Sequence, residues 1–176
     1  MGASFADAVG IVLAGGLSSR MGQNKALLSF HGTPLVKRML ILLRAAGVVE
    51  SHVSGKISGF SCIEDVSPHA GPAQAMRHLA GQVFAGRPCL FVPVDMPLLT
   101  PEILRALLAR GNSCFFKSFP LPAVLKYTEA GEASRGDTVR SLLTAQNAEA
   151  VPLRREWGRH FLNANTPDEW EEAIRR

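Results

Sequence analysis

Apolar positions along this chain fall into short continuous runs, separated by stretches with helical spacing. Ala8 to Ala14 and Pro88 to Val94 are almost wholly apolar, which predicts strands, the second buried on both faces. Val48 to Val53 predicts a second short strand, and Cys62-Ile63 a fragment ending at Glu64-Asp65. Ser54 to Phe60, rich in Gly and Ser, predicts a loop between them. Pro34 to Ala46 has apolar residues at helical spacing and stops at Gly47, which suits a helix C-terminus. Ala73 to Phe84 and Pro101 to Arg110 predict further helices, the latter with Thr100 as N-cap and Pro101 at the first helical position. Ser113 to Phe116 and Pro122 to Lys126 predict strands, Thr138 to Gln146 a helix, and Glu149 to Leu153 an edge strand. Thr166-Pro167-Asp168-Glu169 opens a final helix by the same capping logic.

Strands alternating with helices predict an α/β protein with a parallel, doubly wound sheet and right-handed crossovers. A length of 176 residues predicts one domain spanning 1–176. Hydrophobic residues make up 47% and aromatic ones 7%, enough for a sizeable, mainly aliphatic core. The chain has neither a run of about 18 apolar residues nor a basic-then-apolar leader, so no membrane span or signal peptide is expected. Cys62, Cys89 and Cys114 are odd in number and form no C-x-x-C, which disfavours a disulfide framework or zinc site and suits a reduced, cytoplasmic setting. A net charge of +4 suits an anionic ligand. Lys and Arg are nevertheless spread out, with no basic run interleaved with aromatics, so nucleic acid is not the expected partner.

In open α/β sheets ligands sit beyond the carboxyl ends of the strands. Two loops fall there. After the first strand comes Leu13-Ala14-Gly15-Gly16-Leu17-Ser18-Ser19-Arg20-Met21-Gly22-Gln23-Asn24-Lys25, which is neither a Walker A loop nor the G-x-G-x-x-G fingerprint. Its glycines let backbone N–H groups approach an anion, and Arg20 and Lys25 supply positive charge, so it is built to hold a polyphosphate. Ser18 and Ser19 lack triad partners and read as phosphate hydrogen-bonders. The second loop, Val92-Pro93-Val94-Asp95-Met96-Pro97, places a carboxylate at the end of an apolar run. Asp95 either holds Mg²⁺ facing the phosphates or caps a turn. Asp65 is either an acceptor near a nucleobase or ribose, or a solvated turn residue. Asn163 and Asn165, two apart on an extended segment, point to one side and line an acceptor site, reach the metal or cap the last helix. Gln74 is a base-edge contact or a surface residue, and Arg135 and Arg140 meet an anionic substrate or solvent. The five histidines lack ligand spacing.

The stretch 13–25 resembles the L-A-G-G-x-S-x-R-M-G-x-x-K signature of the MobA-like nucleotidyltransferases, the family of the molybdenum cofactor guanylyltransferases. The likeness continues through Ala26-Leu27-Leu28, a short apolar strand in the family, and the turn His31-Gly32-Thr33-Pro34-Leu35. Pro93-Val94-Asp95-Met96-Pro97 resembles the family's P-x-D-x-P, and Phe161 to Asp168 the F-x-N-x-N-T-P-x part of its F-x-N-x-N-T-P-x-D/E. Gly71-Pro72 matches the start of G-P-L-A-G, but Ala73, Gln74 and Ala75 depart from it.

The resemblance implies a three-layer α/β/α sandwich, a Rossmann-like, doubly wound, mostly parallel sheet of the nucleotide-diphospho-sugar transferase type. It implies a nucleotide-binding N-terminal half and an acceptor-binding C-terminal half. Arg20, Lys25 and Asp95 would be catalytic, with Mg²⁺ on Asp95. Leu13, Ala14, Gly15, Gly16, Lys25, Asp65, Gly71 and Asp95 would meet the nucleotide, and Asn163 and Asn165 the acceptor. The implied reaction transfers GMP from GTP to the terminal phosphate of molybdopterin, in company with other molybdenum cofactor biosynthesis proteins. Relatives that use CTP read L-A-A-G, whereas Ala14-Gly15-Gly16 leans toward GTP. The departures at 73–75 and the weakly matching 115–155 region keep three alternatives open. These are a cytidylyltransferase, transfer to another phosphorylated acceptor, and a non-catalytic nucleotide-binding protein.

Overall fold

A computed structural model describes residues 5, 7–15, 24–64, 71–129 and 137–175. At its centre stand three parallel strands, β1 (Val9–Leu13), β4 (Ser51–Ser54) and β6 (Pro88–Pro93), with β1 between the other two. β5 (Cys62–Ile63) extends the sheet beyond β4. On the other side β8 (Phe119–Lys126) runs antiparallel to both β6 and β7 (Cys114–Phe116), and β9 (Glu149–Val151) closes the far edge parallel to β7. The order is β5-β4-β1-β6-β8-β7-β9, mostly parallel as expected. The antiparallel member is β8. Only two residues separate Phe116 from Phe119, and a link that short can join strands only as a hairpin.

Alternation along the strands builds two cores. Val9, Ile11 and Leu13 of β1 and Cys89 and Phe91 of β6 face α2 (Pro72–His78) and α4 (Val139–Ala145). Val12, Leu90 and Val92 face α1 (Leu35–Ala45), α3 (Pro101–Leu108) and α5 (Pro167–Arg175). This is the α/β/α sandwich. Each fully buried aliphatic side chain contributes about 1.5–3 kcal/mol relative to exposure. Gly10 leaves room for this packing: a Cβ there would stand 2.9 Å from Leu43 Cδ1 on α1, and that side chain would have to shift.

Several boundaries differ from expectation. The predicted strand at 48–53 begins only at Ser51, and Val49 is 95% exposed. The predicted helix at 73–84 is α2 followed by a wider π-turn, Leu79–Val83. Ala26-Leu27-Leu28 is not a strand: Lys25–Leu27 forms a 3₁₀ turn, with Ala26 N–H donating to Asn24 Oδ1. The strands here are the small hairpin β2 (Ser29–Phe30) and β3 (Thr33–Pro34). Thr100 sits at the N-cap of α3 as expected, but its side chain makes no capping hydrogen bond.

Candidate active site

The chain passes from β1 outward through β4 and β5, then returns to the other side of β1 as β6. Adjacent strands whose connections diverge leave a crevice at their carboxyl ends. A cavity of about 470 Å³ lies there. Leu13, Ala14 and Gly15 after β1 line it, as do Pro93 to Met96 after β6. Gly55 shapes the exit of β1: its φ is +122°, and a Cβ would stand 2.8 Å from Gly15 N. Val94 N–H donates to Leu13 O, joining the two loops where they leave the sheet.

Lys25 and Asp95 meet in this cavity, 3.9 Å apart, with little side-chain exposure on either. Burial pushes the Asp95 carboxyl above the ordinary carboxylate range, while the Lys25 charge pulls it back. Lys25 Nζ also donates to Asn165 Oδ1 at 2.6 Å, across 140 residues of chain. Asn163 also lines the cavity, and its Oδ1 is buried without a hydrogen-bond partner among the described residues. The two asparagines thus share a side, as their spacing predicted.

The loop carrying Asp95 is held by its carbonyls. Asp95 O accepts from Ala164 N–H at 2.8 Å, and Pro97 O from Arg38 Nε at 2.7 Å. Leu98 O accepts from His160 Nδ1 at 2.9 Å, which sets that ring's tautomer. The Arg38 guanidinium also lies 4.8 Å over the Phe30 ring.

The same cavity has an apolar lining, Phe119, Pro120, Leu121 and Val139, that the sequence reading did not single out, together with Pro72 and Met96. Phe119 stacks on Phe161, centroids 4.6 Å apart. Such a wall can take the flat face of a ring while the polar side takes phosphate. A two-residue link between apolar strands was the available signal, since it makes Phe119 to Leu121 the start of a strand. Gly71 stands exposed at the N-cap of α2, next to the lining residue Pro72. Arg140 points elsewhere, donating to Lys117 O and lying over Phe115. Gly16, Ser18, Ser19, Arg20, Asp65 and Arg135 lie outside the described residues.

A hard divalent cation takes oxygen ligands. The Asp95 carboxylate and the unpaired Asn163 Oδ1 in one cavity fit that donor set. Among the described residues no group of three or more His, Cys, Asp or Glu side chains could hold an ion alone. A cation here would therefore share Asp95 with substrate oxygens, the usual habit of Mg²⁺ beside phosphates.

A cavity that pairs a lysine with a carboxylate at the β1/β6 crevice places the candidate site of this α/β protein where such sheets take their ligands. Residues 10–127 match the MobA-like NTP transferase domain, and the chain belongs to that family. It is 37% identical to the molybdenum cofactor guanylyltransferase of Xanthomonas euvesicatoria pv. vesicatoria, over 94% of this chain and 93% of that protein. It is 28% identical to a probable molybdenum cofactor guanylyltransferase of Bacillus cereus, over 93% and 94% of the two chains. Its fold is similar to the crystal structure of molybdopterin-guanine dinucleotide biosynthesis protein A from Archaeoglobus fulgidus. That likeness has a TM-score of 0.74 at 21% identity, covering 95% and 97% of the two chains.

Proposed function

We propose that this protein, acting as one domain, transfers the GMP moiety of GTP to the terminal phosphate of molybdopterin. An acceptor phosphate oxygen attacks the α-phosphorus, the α–β anhydride bond breaks, and pyrophosphate leaves with the bonding electrons. The observation that carries this reading is the Lys25 ammonium and the desolvated Asp95 carboxylate, 3.9 Å apart in the β1/β6 crevice. Such a reaction asks chiefly for positioning and charge neutralisation, and a phosphate nucleophile needs no general base.

Leu13, Ala14 and Gly15 approach the nucleotide with backbone, and Lys25 offsets charge on the phosphates. The same assignment gives Gly16 and Arg20 to the phosphates, and Asp65 and Gly71 to the base and ribose. Asp95 holds Mg²⁺, with Asn163 Oδ1 in reach of the same cavity. The ion, when bound, supplies charge neutralisation at phosphate oxygens. Asn163 and Asn165 hold the acceptor's polar groups, and Phe119 to Leu121 take its ring.

Pyrophosphate release tests the proposal, with molybdopterin, Mg²⁺ and each of GTP, CTP, ATP and UTP. Release with GTP alone supports it. Release with CTP alone moves the chain to cytidylyl transfer. Nucleotide binding without release under any condition overturns the catalytic reading.

A further inference from the structure

The last helix begins unusually close to the charged groups of the cavity. Glu169 Oε2 accepts from both Asn165 N–H and Thr166 N–H, each at 2.9 Å. Thr166 Oγ1 in turn accepts from Glu169 N–H at 3.3 Å. This is a capping box, in which side chain and backbone satisfy each other's orphan groups. It has an extra member. The backbone N–H of Asn165, one residue before the cap, is tied to the same carboxylate oxygen, and the Asn165 carboxamide anchors Lys25 at 2.6 Å.

The segment is gripped from both ends. Ala164 N–H donates to the carbonyl of Asp95. Beyond Glu169, Trp170 meets the Phe30 ring edge-on, 5.9 Å between centroids. Phe30 follows Lys25 by five residues, so α5 is packed on the hairpin that issues from the lysine's own turn. The Glu169 carboxyl lies below the ordinary carboxylate range, chiefly because Asn165 N–H donates to it.

We propose that Glu169 is a positioning residue of this site: it fixes the Asn165 backbone, and through the Asn165 carboxamide it sets where the Lys25 ammonium stands. Glu169 touches no ligand itself. The inference rests on the functional reading above only for which phosphates Lys25 meets.

A double-mutant cycle tests it. Two groups that act through one chain are non-additive; because Asn165 and Glu169 also touch, the cycle is read on the rate and on Lys25 itself, which shared cap stability would not move. Glu169→Ala and Asn165→Ala are each expected to lower the rate of guanylyl transfer about tenfold, as for a small misplacement of a charged group. The double variant should be no slower than the slower single one. Glu169→Gln keeps an acceptor oxygen at the same reach and should restore the rate to within about twofold of wild type, the charge itself being dispensable. Glu169→Asp, one methylene shorter, should not, and it serves where the alanine variant does not fold.

A second readout needs no substrate. The acylation rate of Lys25 by a neutral amine reagent, followed by peptide mass spectrometry, should change in Glu169→Ala and Asn165→Ala alike, with no further change in the double variant. Lowered melting temperature with an unchanged rate and unchanged Lys25 labelling would reduce Glu169 to a helix cap and overturn the proposal. Additive losses in the double variant would do the same. If the wild-type protein transfers no guanylyl group but the labelling cycle is non-additive, the positioning role stands and the substrate reading falls.

Discussion

The two sides of the cavity are built by opposite uses of a strand. On one side β1 and β6 end there, and each gives way to a loop that carries charge, with Lys25 and Asp95 as the result. On the other side β8 runs the other way and begins there, so Phe119 and Leu121 reach the cavity as strand side chains. A strand that ends at a site can deliver a loop rich in free N–H groups. A strand that starts there brings side chains, here those of Phe119, Pro120 and Leu121. Strand direction thus gives the cavity a loop-built part that would suit phosphate and a strand-built part that would suit a ring.

Removing Asp95 should be the most damaging change. Asp95→Ala is expected to lower metal-dependent turnover by about 10³-fold or more, with circular dichroism unchanged. Retained turnover would sink the metal assignment. Lys25→Ala should weaken triphosphate binding by about 2 kcal/mol, roughly thirtyfold, as for one charge-assisted contact. Calorimetry with GTP reads this directly, and unchanged affinity would mean that the charged side does something else. Phe119→Leu keeps most of the volume but not the flat face, so the acceptor KM should rise about tenfold while the GTP KM stays put. An equal effect on both substrates would erase the division between the two sides.

The smallest effect is on stability. Asp95 has a folded-state pKa raised mainly by burial, and Lys25 and Glu169 are the charged groups that act on it. The unfolded chain then binds fewer protons than the folded one between the unfolded pKa and the raised folded value. Stability is therefore fullest below the unfolded pKa and is lost as pH rises through the folded pKa. In chelator-containing buffer at neutral pH, Asp95→Asn should raise the melting temperature by a few degrees. The gain should shrink as the buffer is taken below the ordinary carboxylate range. A variant less stable than wild type at neutral pH would contradict the burial argument.

The charged side was far more legible in the sequence than the apolar one. β1 and β6 announce themselves as unbroken apolar runs, Gly15 and Asp95 follow where such runs stop, and Lys25 closes the glycine-rich stretch after the first. Chain direction leaves no mark in an apolar run, so β8 read simply as one more strand, starting at Pro122 and not at Phe119. Pro120 and Pro122 disguised its beginning as a turn. At Ala26-Leu27-Leu28 the resemblance implied a strand, and three apolar residues carry no period to contradict it; Asn24 capping Ala26 reveals the turn. The capping pattern of Thr166 and Glu169 signalled a helix start correctly, but not that the same carboxylate reaches back to Asn165.

Three of the four carbonyls from Asp95 to Leu98 are each fastened by a donor from a different part of the chain. Rearranging this loop would mean breaking those bonds one after another, so its conformational entropy has already been surrendered in folding. A cation arriving at Asp95 would find a loop that it does not have to order, and more of the contact energy would survive as affinity. The same economy spreads the site's sensitivity outward: Arg38 on α1 and His160, neither among the residues that line the cavity, become places where a substitution is felt as a looser carboxylate.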